Sequence, residues 1–286
     1  MIVSGSSSQS LAASLAAELD EPLADVRVDR FPDGELLASV DDLADGSPDR
    51  AVIVGSTVSA DAHLEVLQLQ DAVGEAGVDE VVTVLPYMGY ARQDRAFEAG
   101  HPVSARAVAR AISTGTDRVL TVNPHEEAVC DFFDPTATAV DAASVLADPL
   151  PSDLADPVFL SPDEGAISIA ETVRDAYGSG QVDYFEKTRL SGTDVEIAPS
   201  DVRVADRDVV VVDDIIATGG TMSESIAVLE RRGAARTFVT CVHPLLTGTA
   251  YTRLARAGVE AVYGTDTIEG PASAASVAPV LADELS

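Results

Sequence analysis

Apolar residues fall in short runs separated by longer stretches in which they recur every three or four positions. Residues 2–3, 51–56, 81–85, 119–122, 158–160, 182–185, 209–212, 237–242 and 259–263 are brief and rich in β-branched side chains. Such runs suit strands buried on both faces. Between them, residues 11–19, 63–73, 103–112, 250–257 and 277–285 show helical spacing, with Ser104 expected to cap its helix. Val26 and Val28 alternate as in a strand, and residues 30–40 read as a hairpin turn around Pro-Asp-Gly. The repeated strand–helix order predicts an α/β fold of two similar doubly wound, mostly parallel sheets with helices on both faces. A Pro-, Ala- and Asp-rich stretch at 141–156 divides the chain into expected domains 1–141 and 142–286.

One stretch organises the rest: VVVVDDIIATGGT, residues 209–221. Four valines end in Asp213 and Asp214, where a parallel strand reaches the carboxyl edge of its sheet. Gly219 and Gly220 form a short turn, and Met222, Ile226 and Leu229 then repeat at helical spacing. Arg231 and Arg232 suit the last turn of that helix, and Gly233 its stop. Backbone N–H groups at a helix N-terminus attract anions, and ligands of open α/β sheets bind at such junctions. Thr218 and Thr221 add hydroxyl donors. In a chain with 48 acidic residues an Asp pair alone is an ordinary solvated turn. Strand, acid pair, Thr-Gly-Gly-Thr and helix in one register specify more: a phosphate cradle below two carboxylates.

Composition narrows the function classes. The chain's 286 residues allow two ordinary domains, and 46% apolar content supports real cores. No run approaches the ~20 apolar residues of a membrane span, and MIVSGSSSQS lacks the basic flank and apolar core of a signal peptide. Cys130 and Cys241 lie in no metal-ligand spacing and are expected to be buried thiols. A cytoplasmic protein is expected. The formal net charge of -30 repels nucleic acid and anionic membranes. It suits high salt, where screening acts within ~3 Å at molar ionic strength. Of the 18 basic residues, Lys187 is the only lysine.

Further polar clusters sit at expected strand ends. Arg92, Gln93, Asp94 and Arg95 follow the run at 81–85, and arginine suits a polyphosphate. His125 stands beside Glu126 and Glu127, and Asp163 lies between a strand and a helix. A lone histidine is more often a structural hydrogen-bonding residue than a metal ligand. Lys187 and Arg189 are two apart, so on an extended backbone they face one side, with Glu186 and Asp194 nearby as ordinary ion-pair partners.

Residues 209–221 closely resemble the phosphoribosyl-diphosphate binding loop shared by type I phosphoribosyltransferases and ribose-phosphate pyrophosphokinases. The resemblance to the pyrophosphokinases extends over essentially the whole chain. It runs through RFPDGE, PYMGYARQDR, NPHEEAVCDFF, SPDEGAISIA, Lys-x-Arg and the central loop, in the family's order. It implies sheets of the type I phosphoribosyltransferase kind and attack by the anomeric hydroxyl of ribose 5-phosphate on the β-phosphorus of ATP. By the resemblance, Phe31 stacks on adenine, Asp33, Gly34 and Glu35 contact the nucleotide from a neighbouring subunit, and Arg92 and Gln93 hold ATP. Lys187 and Arg189 are the catalytic pair, with Arg189 also on ribose 5-phosphate. Asp213 and Asp214 contact ribose hydroxyls, while Ala217, Thr218, Gly219, Gly220 and Thr221 hold the 5-phosphate. His125 and Asp163 bind Mg2+. The implied assembly is a homo-oligomer built from dimers.

The sequence also departs from the family's common patterns. Ala166 and Ser168 replace a glycine and an arginine of SPDxGGxxRA, and NPHEEAVCDFF differs from the usual DLHSxQIQGFF. The shorter form resembles archaeal members. A Walker-type ATPase is excluded, because the P-loop needs lysine after glycine and Lys187 follows Glu186. A phosphoribosyltransferase shares the central loop but not the other motifs. A non-catalytic regulatory relative of the same fold stands as the alternative.

Overall fold

The structure, a computed structural model, describes residues 1–189, 195–199 and 201–286; the side chains at positions 45, 187–189 and 195–198 are outside that description. The chain forms two compact units.

The first unit contains β1 (Ile2–Ser4), α1 (Gln9–Leu19), β2 (Val26–Arg30), β3 (Leu36–Val40), β4 (Arg50–Val54), α2 (Ala60–Glu75), β5 (Glu80–Leu85), α3 (Ser104–Ile112), β6 (Arg118–Val122) and β7 (Thr136–Val140). Its main sheet has the order β1-β4-β5-β6-β7, with every pair parallel. One apolar cluster joins Ile53, Leu69 and Val73, and another joins Leu85, Ile112 and Val119. Both use strand residues that the β-branched runs foretold. Helix α2 is longer at both ends than expected, and its earlier start follows from Ser59, whose hydroxyl accepts from the Ala62 N–H at 3.1 Å and caps it. Ser104 does not cap α3: it is the first helical residue, and its hydroxyl donates to Gln93 Oε1 at 2.6 Å. Strands β2 and β3 form a separate antiparallel ribbon, with Arg30 opposite Leu36 at its tip.

The second unit contains β8 (Val158–Ser161), α4 (Ile167–Tyr177), β9 (Gln181–Arg189), β10 (Val195–Pro199), β11 (Asp208–Ile215), α5 (Gly220–Arg231), β12 (Arg236–His243), α6 (Ala250–Arg256), β13 (Ala261–Thr265) and β14 (Ser273–Ala275). The sheet order is β10-β9-β8-β11-β12-β13-β14, parallel except for β9–β10. From β8 the chain builds outward to β9 on one side and resumes at β11 on the other. That reversal is the switch point at which open α/β sheets bind ligands. Val209, Val211, Ile226 and Leu229 share one buried cluster, which fixes β11 and α5 against each other.

The chain divides after Asp141, but the C-terminal residues differ from the expected 142–286 unit. Asp266–Glu269 and Ser276–Ser286, including α7 (Ala278–Leu285), belong to the first unit. The reason is local bonding: the Glu269 carboxylate accepts from the Leu11 N–H at 3.0 Å in the first turn of α1. Arg50 also donates to the Leu285 carbonyl at 2.8 Å. Of the two thiols expected to be buried, Cys241 is, whereas Cys130 is half-buried. Among the described residues no helix is long and apolar enough to cross a membrane.

Candidate active site

Strand β11 delivers Asp213 and Asp214 at the carboxyl edge, half-buried after five buried residues. The Asp214 N–H donates to Asp213 Oδ1 at 2.9 Å, and the Ile215 N–H donates to Asp214 Oδ1 at 2.7 Å. Burial holds the Asp213 carboxyl well above its ordinary pKa, and the neighbouring charges of Asp214 and Asp163 push the same way. Asp163 follows β8, the parallel neighbour of β11, and its side chain caps a tight turn by accepting from Gly165 N–H at 3.1 Å. The charge of Asp163 thus bears on Asp213 across the β8–β11 pair, at the switch point.

The loop beyond β11 has an unusual division of backbone groups. The Ile216 carbonyl accepts from Leu246 N–H at 2.8 Å. The Ala217 carbonyl accepts from the Thr247 N–H at 2.9 Å and the Thr247 hydroxyl at 3.2 Å. Arg253 Nη1 donates to the Thr218 carbonyl at 3.1 Å, and Ser223 occupies the Gly219 carbonyl through its N–H and hydroxyl at 3.0 and 2.6 Å. The N–H groups of Ala217, Thr218, Gly219, Gly220 and Thr221 meet no acceptor among the described residues. A trans peptide points its C=O and the following N–H in opposite directions. Fixing the carbonyls outward therefore turns a row of amides the other way. Gly219 adopts φ 68°, a left-handed conformation that glycine takes without strain, and no side chain caps α5. The result is a row of unpaired amide donors at a helix N-terminus, suited to a phosphate dianion.

Strand β9 carries Lys187 and Arg189. Ser161, the last residue of β8, pairs with Tyr184, so the strand continues past the edge of its neighbour. There it pairs antiparallel with β10, Lys187 opposite Ile197 and Arg189 opposite Val195. The backbone that carries the pair is thus extended, as their spacing of two requires for one face; both side chains lie outside the described ones.

In the first unit, β5 leads into Tyr87–Arg95. Gly89 lies so close to the Thr57 carbonyl that a Cβ would stand 2.1 Å from its oxygen, and its N–H donates to Thr57 Oγ1 at 2.8 Å. Tyr90 follows at φ 65°, its ring 5.5 Å from that of His63. Burial lowers the His63 pKa, and its Nε2 has no hydrogen-bond partner among the described residues. Arg92 is exposed, whereas the Gln93 carboxamide is tied to Ser104 and to the Pro102 carbonyl. His125 is exposed beyond β6, the strand next to β5. At the ribbon tip the Phe31 N–H donates to the Glu35 carbonyl at 2.9 Å, and Gly34, at φ 94°, donates to the Phe31 carbonyl at 2.8 Å. Asp33 Oδ1 accepts from Glu35 N–H at 3.2 Å, and Phe31 remains 49% exposed.

Sequence reasoning missed Thr247 and Arg253, the groups that hold the loop's carbonyls. The available signal was the run HPLLTGTA after a strand neighbouring β11, which puts a second loop at the same edge. Among the described residues no group of three or more His, Cys, Asp or Glu side chains could hold a metal ion by itself.

The model for the N-terminal domain of ribose phosphate pyrophosphokinase matches residues 1–115, and that for a phosphoribosyl transferase domain matches residues 145–266. A ribose-phosphate pyrophosphokinase of Halobacterium salinarum is 65% identical over 285 residues, covering 100% of both chains. One of Methanosarcina mazei is 42% identical, covering 100% of this chain and 95% of its own. The crystal structure of phosphoribosylpyrophosphate synthetase from Mycobacterium smegmatis superimposes with a TM-score of 0.84 at 28% identity, over 100% of this chain and 97% of that one. The fold, the donor array at its switch point and these full-length matches agree: the chain belongs to the ribose-phosphate pyrophosphokinase family, the enzymes of phosphoribosyl diphosphate synthesis.

Proposed function

We propose that the chain transfers the pyrophosphoryl group of ATP to the anomeric hydroxyl of ribose 5-phosphate, giving 5-phosphoribosyl 1-diphosphate and AMP. The anomeric oxygen bonds to the β-phosphorus, the bond from that phosphorus to the α,β-bridging oxygen breaks, and the hydroxyl proton is released. The observation that carries this reading is the row of unpaired amides from Ala217 to Thr221 beside Asp213 and Asp214. It supplies donors for a 5-phosphate and acceptors for ribose hydroxyls within one loop. Catalysis of this kind depends on positioning and charge neutralisation, with no protein nucleophile needed.

In this reading Lys187 and Arg189 stabilise charge on the transferred group, with Arg189 also reaching the sugar phosphate. Arg92 and Gln93 hold the polyphosphate. Phe31 stacks on the adenine of a second copy, with Asp33, Gly34 and Glu35 beside it, in a homo-oligomer built from dimers. Its half-exposed ring supports that assignment. His125 and Asp163 hold Mg2+, which supplies charge neutralisation on the polyphosphate when bound. Mg2+ is bound through one or two carboxylates plus substrate phosphates and waters, so Asp163 would supply the carboxylate and His125 would act through a water or the nucleotide. The acidic surface suits a cytoplasm of high salt.

The test is incubation with ATP, Mg2+ and ribose 5-phosphate, following AMP by chromatography and the product by phosphorus NMR. Equimolar AMP and phosphoribosyl diphosphate are expected. ADP as the nucleotide product, or no turnover dependent on ribose 5-phosphate, overturns the proposal.

A further inference from the structure

The loop that the proposed function assigns to the 5-phosphate does not hold its own shape. Ser223 takes the Gly219 carbonyl from within α5, but the preceding carbonyls of Ile216, Ala217 and Thr218 are taken by the segment that follows β12 and by α6. Leu246 and Thr247 bind the first two carbonyls through backbone N–H groups, which almost any residue supplies. The Thr218 carbonyl differs, because its partner is a side chain, Arg253 Nη1 at 3.1 Å. The Thr218 C=O and the Gly219 N–H belong to one peptide plane and point opposite ways. Whatever fixes the carbonyl also aims the amide. Gly219 is the residue at which this matters most. Its φ of 68° has no side chain to hold it, and glycine peptides rotate more freely than others.

The surroundings of Arg253 agree with a dedicated role. In a chain with 48 acidic and 18 basic residues, arginines commonly meet carboxylates, as Arg27, Arg30, Arg50 and Arg207 do. Arg253 meets no carboxylate among the described residues, and its bond goes to a neutral carbonyl instead. Its guanidinium lies 3.7 Å from where a Cβ on Gly220 would stand, so it borders the helix N-terminus as well. A Cβ on Gly219 would stand 3.5 Å from the Ala250 carbonyl oxygen and from Leu254 Cγ, residues that lie on either side of Arg253 in the same helix. Arg256 lines the same surface pocket, with Thr249 and Thr252, but makes no bond to the loop.

We infer that Arg253 is a positioning residue for the sugar-phosphate site: by holding the Thr218 carbonyl it aims the Gly219 amide into the phosphate cradle. The inference rests on the proposed assignment of residues 217–221 to ribose 5-phosphate. It goes further by naming a group outside the loop on which that site depends.

The experiment measures ribose 5-phosphate binding by calorimetry without ATP, and steady-state kinetics, in Arg253→Gln, Arg253→Lys, Arg256→Gln and Gly220→Asp. Melting temperatures establish that each variant is folded. Arg253→Gln is expected to weaken ribose 5-phosphate binding and raise its KM about tenfold, while the KM for ATP moves less than about twofold. Arg253→Lys, which keeps one donor for the carbonyl, should recover most of the loss. Arg256→Gln should bind ribose 5-phosphate as the unaltered chain does. An equal loss in Arg256→Gln would mean general attraction by positive charge and overturn the positioning role. Unchanged binding in Arg253→Gln also overturns it. Gly220→Asp separates this failure from failure of the underlying assignment, because a carboxylate in the cradle should abolish binding. If Gly220→Asp binds ribose 5-phosphate normally, the assignment of the loop itself falls.

Discussion

A guanidinium and an ammonium differ in more than shape, and the catalytic role proposed for Lys187, the single lysine of this chain, turns on that difference. An ammonium is compact with three rotatable donors, so it can follow a phosphate oxygen as charge moves. A planar guanidinium favours a fixed two-pronged approach. Lys187→Arg is therefore expected to lower turnover strongly, and Lys187→Ala by roughly 10²–10³-fold, the usual effect of removing a charge-stabilising donor. ATP affinity, measured by calorimetry, should change far less. Near-normal turnover in Lys187→Ala would return the residue to the surface. A second residue tests structure without chemistry. Asp208 is buried at the start of β11 and accepts from Arg236 Nη2 at 2.6 Å and from the Ala155 N–H at 2.6 Å. Burial alone would raise its pKa, but the Arg236 bond, the Ala155 amide and the arginine's charge outweigh it, so the value is lowered. A carboxyl depressed in the folded state contributes stability above its unfolded pKa of about 3.9 and loses it as pH falls through the folded value. Asp208→Asn should lower Tm at pH 7, with the gap to the unaltered chain closing below about pH 4. A gap independent of pH would show that the pair's charge is not what stabilises this end of the sheet.

At the scale of elements, the β2–β3 ribbon carries the clearest expectation. Val28, Phe31 and Leu37 are exposed on it, and its tip is organised by its own backbone bonds and by Arg30, whose guanidinium reaches the Gly34 carbonyl and Asp61. A preformed tip with an exposed ring suits insertion into the nucleotide site of a second copy. Inactive Asp33→Ala and Lys187→Ala chains, denatured and refolded together, should then regain activity, because some mixed sites take both intact segments. No recovery in demonstrably mixed oligomers would count against shared sites. What the sequence revealed and what it hid also separate at this scale. Buried strands β4, β5, β11 and β12 were legible as β-branched runs. Strands β7 and β14 were not, because they lie at sheet edges and are built from Thr, Ala and Ser with Val140 the one large apolar residue. Strand β10 went unread for the same reason of position: it pairs only with β9. The donor loop was legible because its strand, acid pair, glycines and helix are contiguous. Its support was not, since Arg253 reaches Thr218 across 35 positions of sequence. Ser104 fitted the cap preference, but its hydroxyl bonds the Gln93 side chain instead.

Charge is a property of the whole molecule, and here two effects of salt oppose one another. Screening weakens the exposed ion pairs, such as Arg27 with Asp41 and Arg30 with Asp61. Each such pair contributes only about 0–1 kcal/mol. Screening also weakens repulsion among the acidic side chains, and these dominate: 48 acidic residues against 18 basic ones leave most carboxylates without a cation, at a net charge of -30. Repulsion acts over ~30 Å at 0.01 M salt, comparable to the width of a domain, but over only ~3 Å at 1 M. Compactness concentrates the charge, so the folded state suffers more from low salt than the unfolded chain does. Repulsion therefore outweighs what the ion pairs gain at low salt, and the fold should weaken as salt is removed. Thermal unfolding followed from molar KCl down to tens of millimolar is expected to show a falling Tm, steepest where the screening length exceeds the spacing between surface carboxylates. A Tm unchanged across that range would mean that the carboxylates are spaced widely enough for water's dielectric alone to quench their repulsion, and the case for a salt-adapted protein would fail.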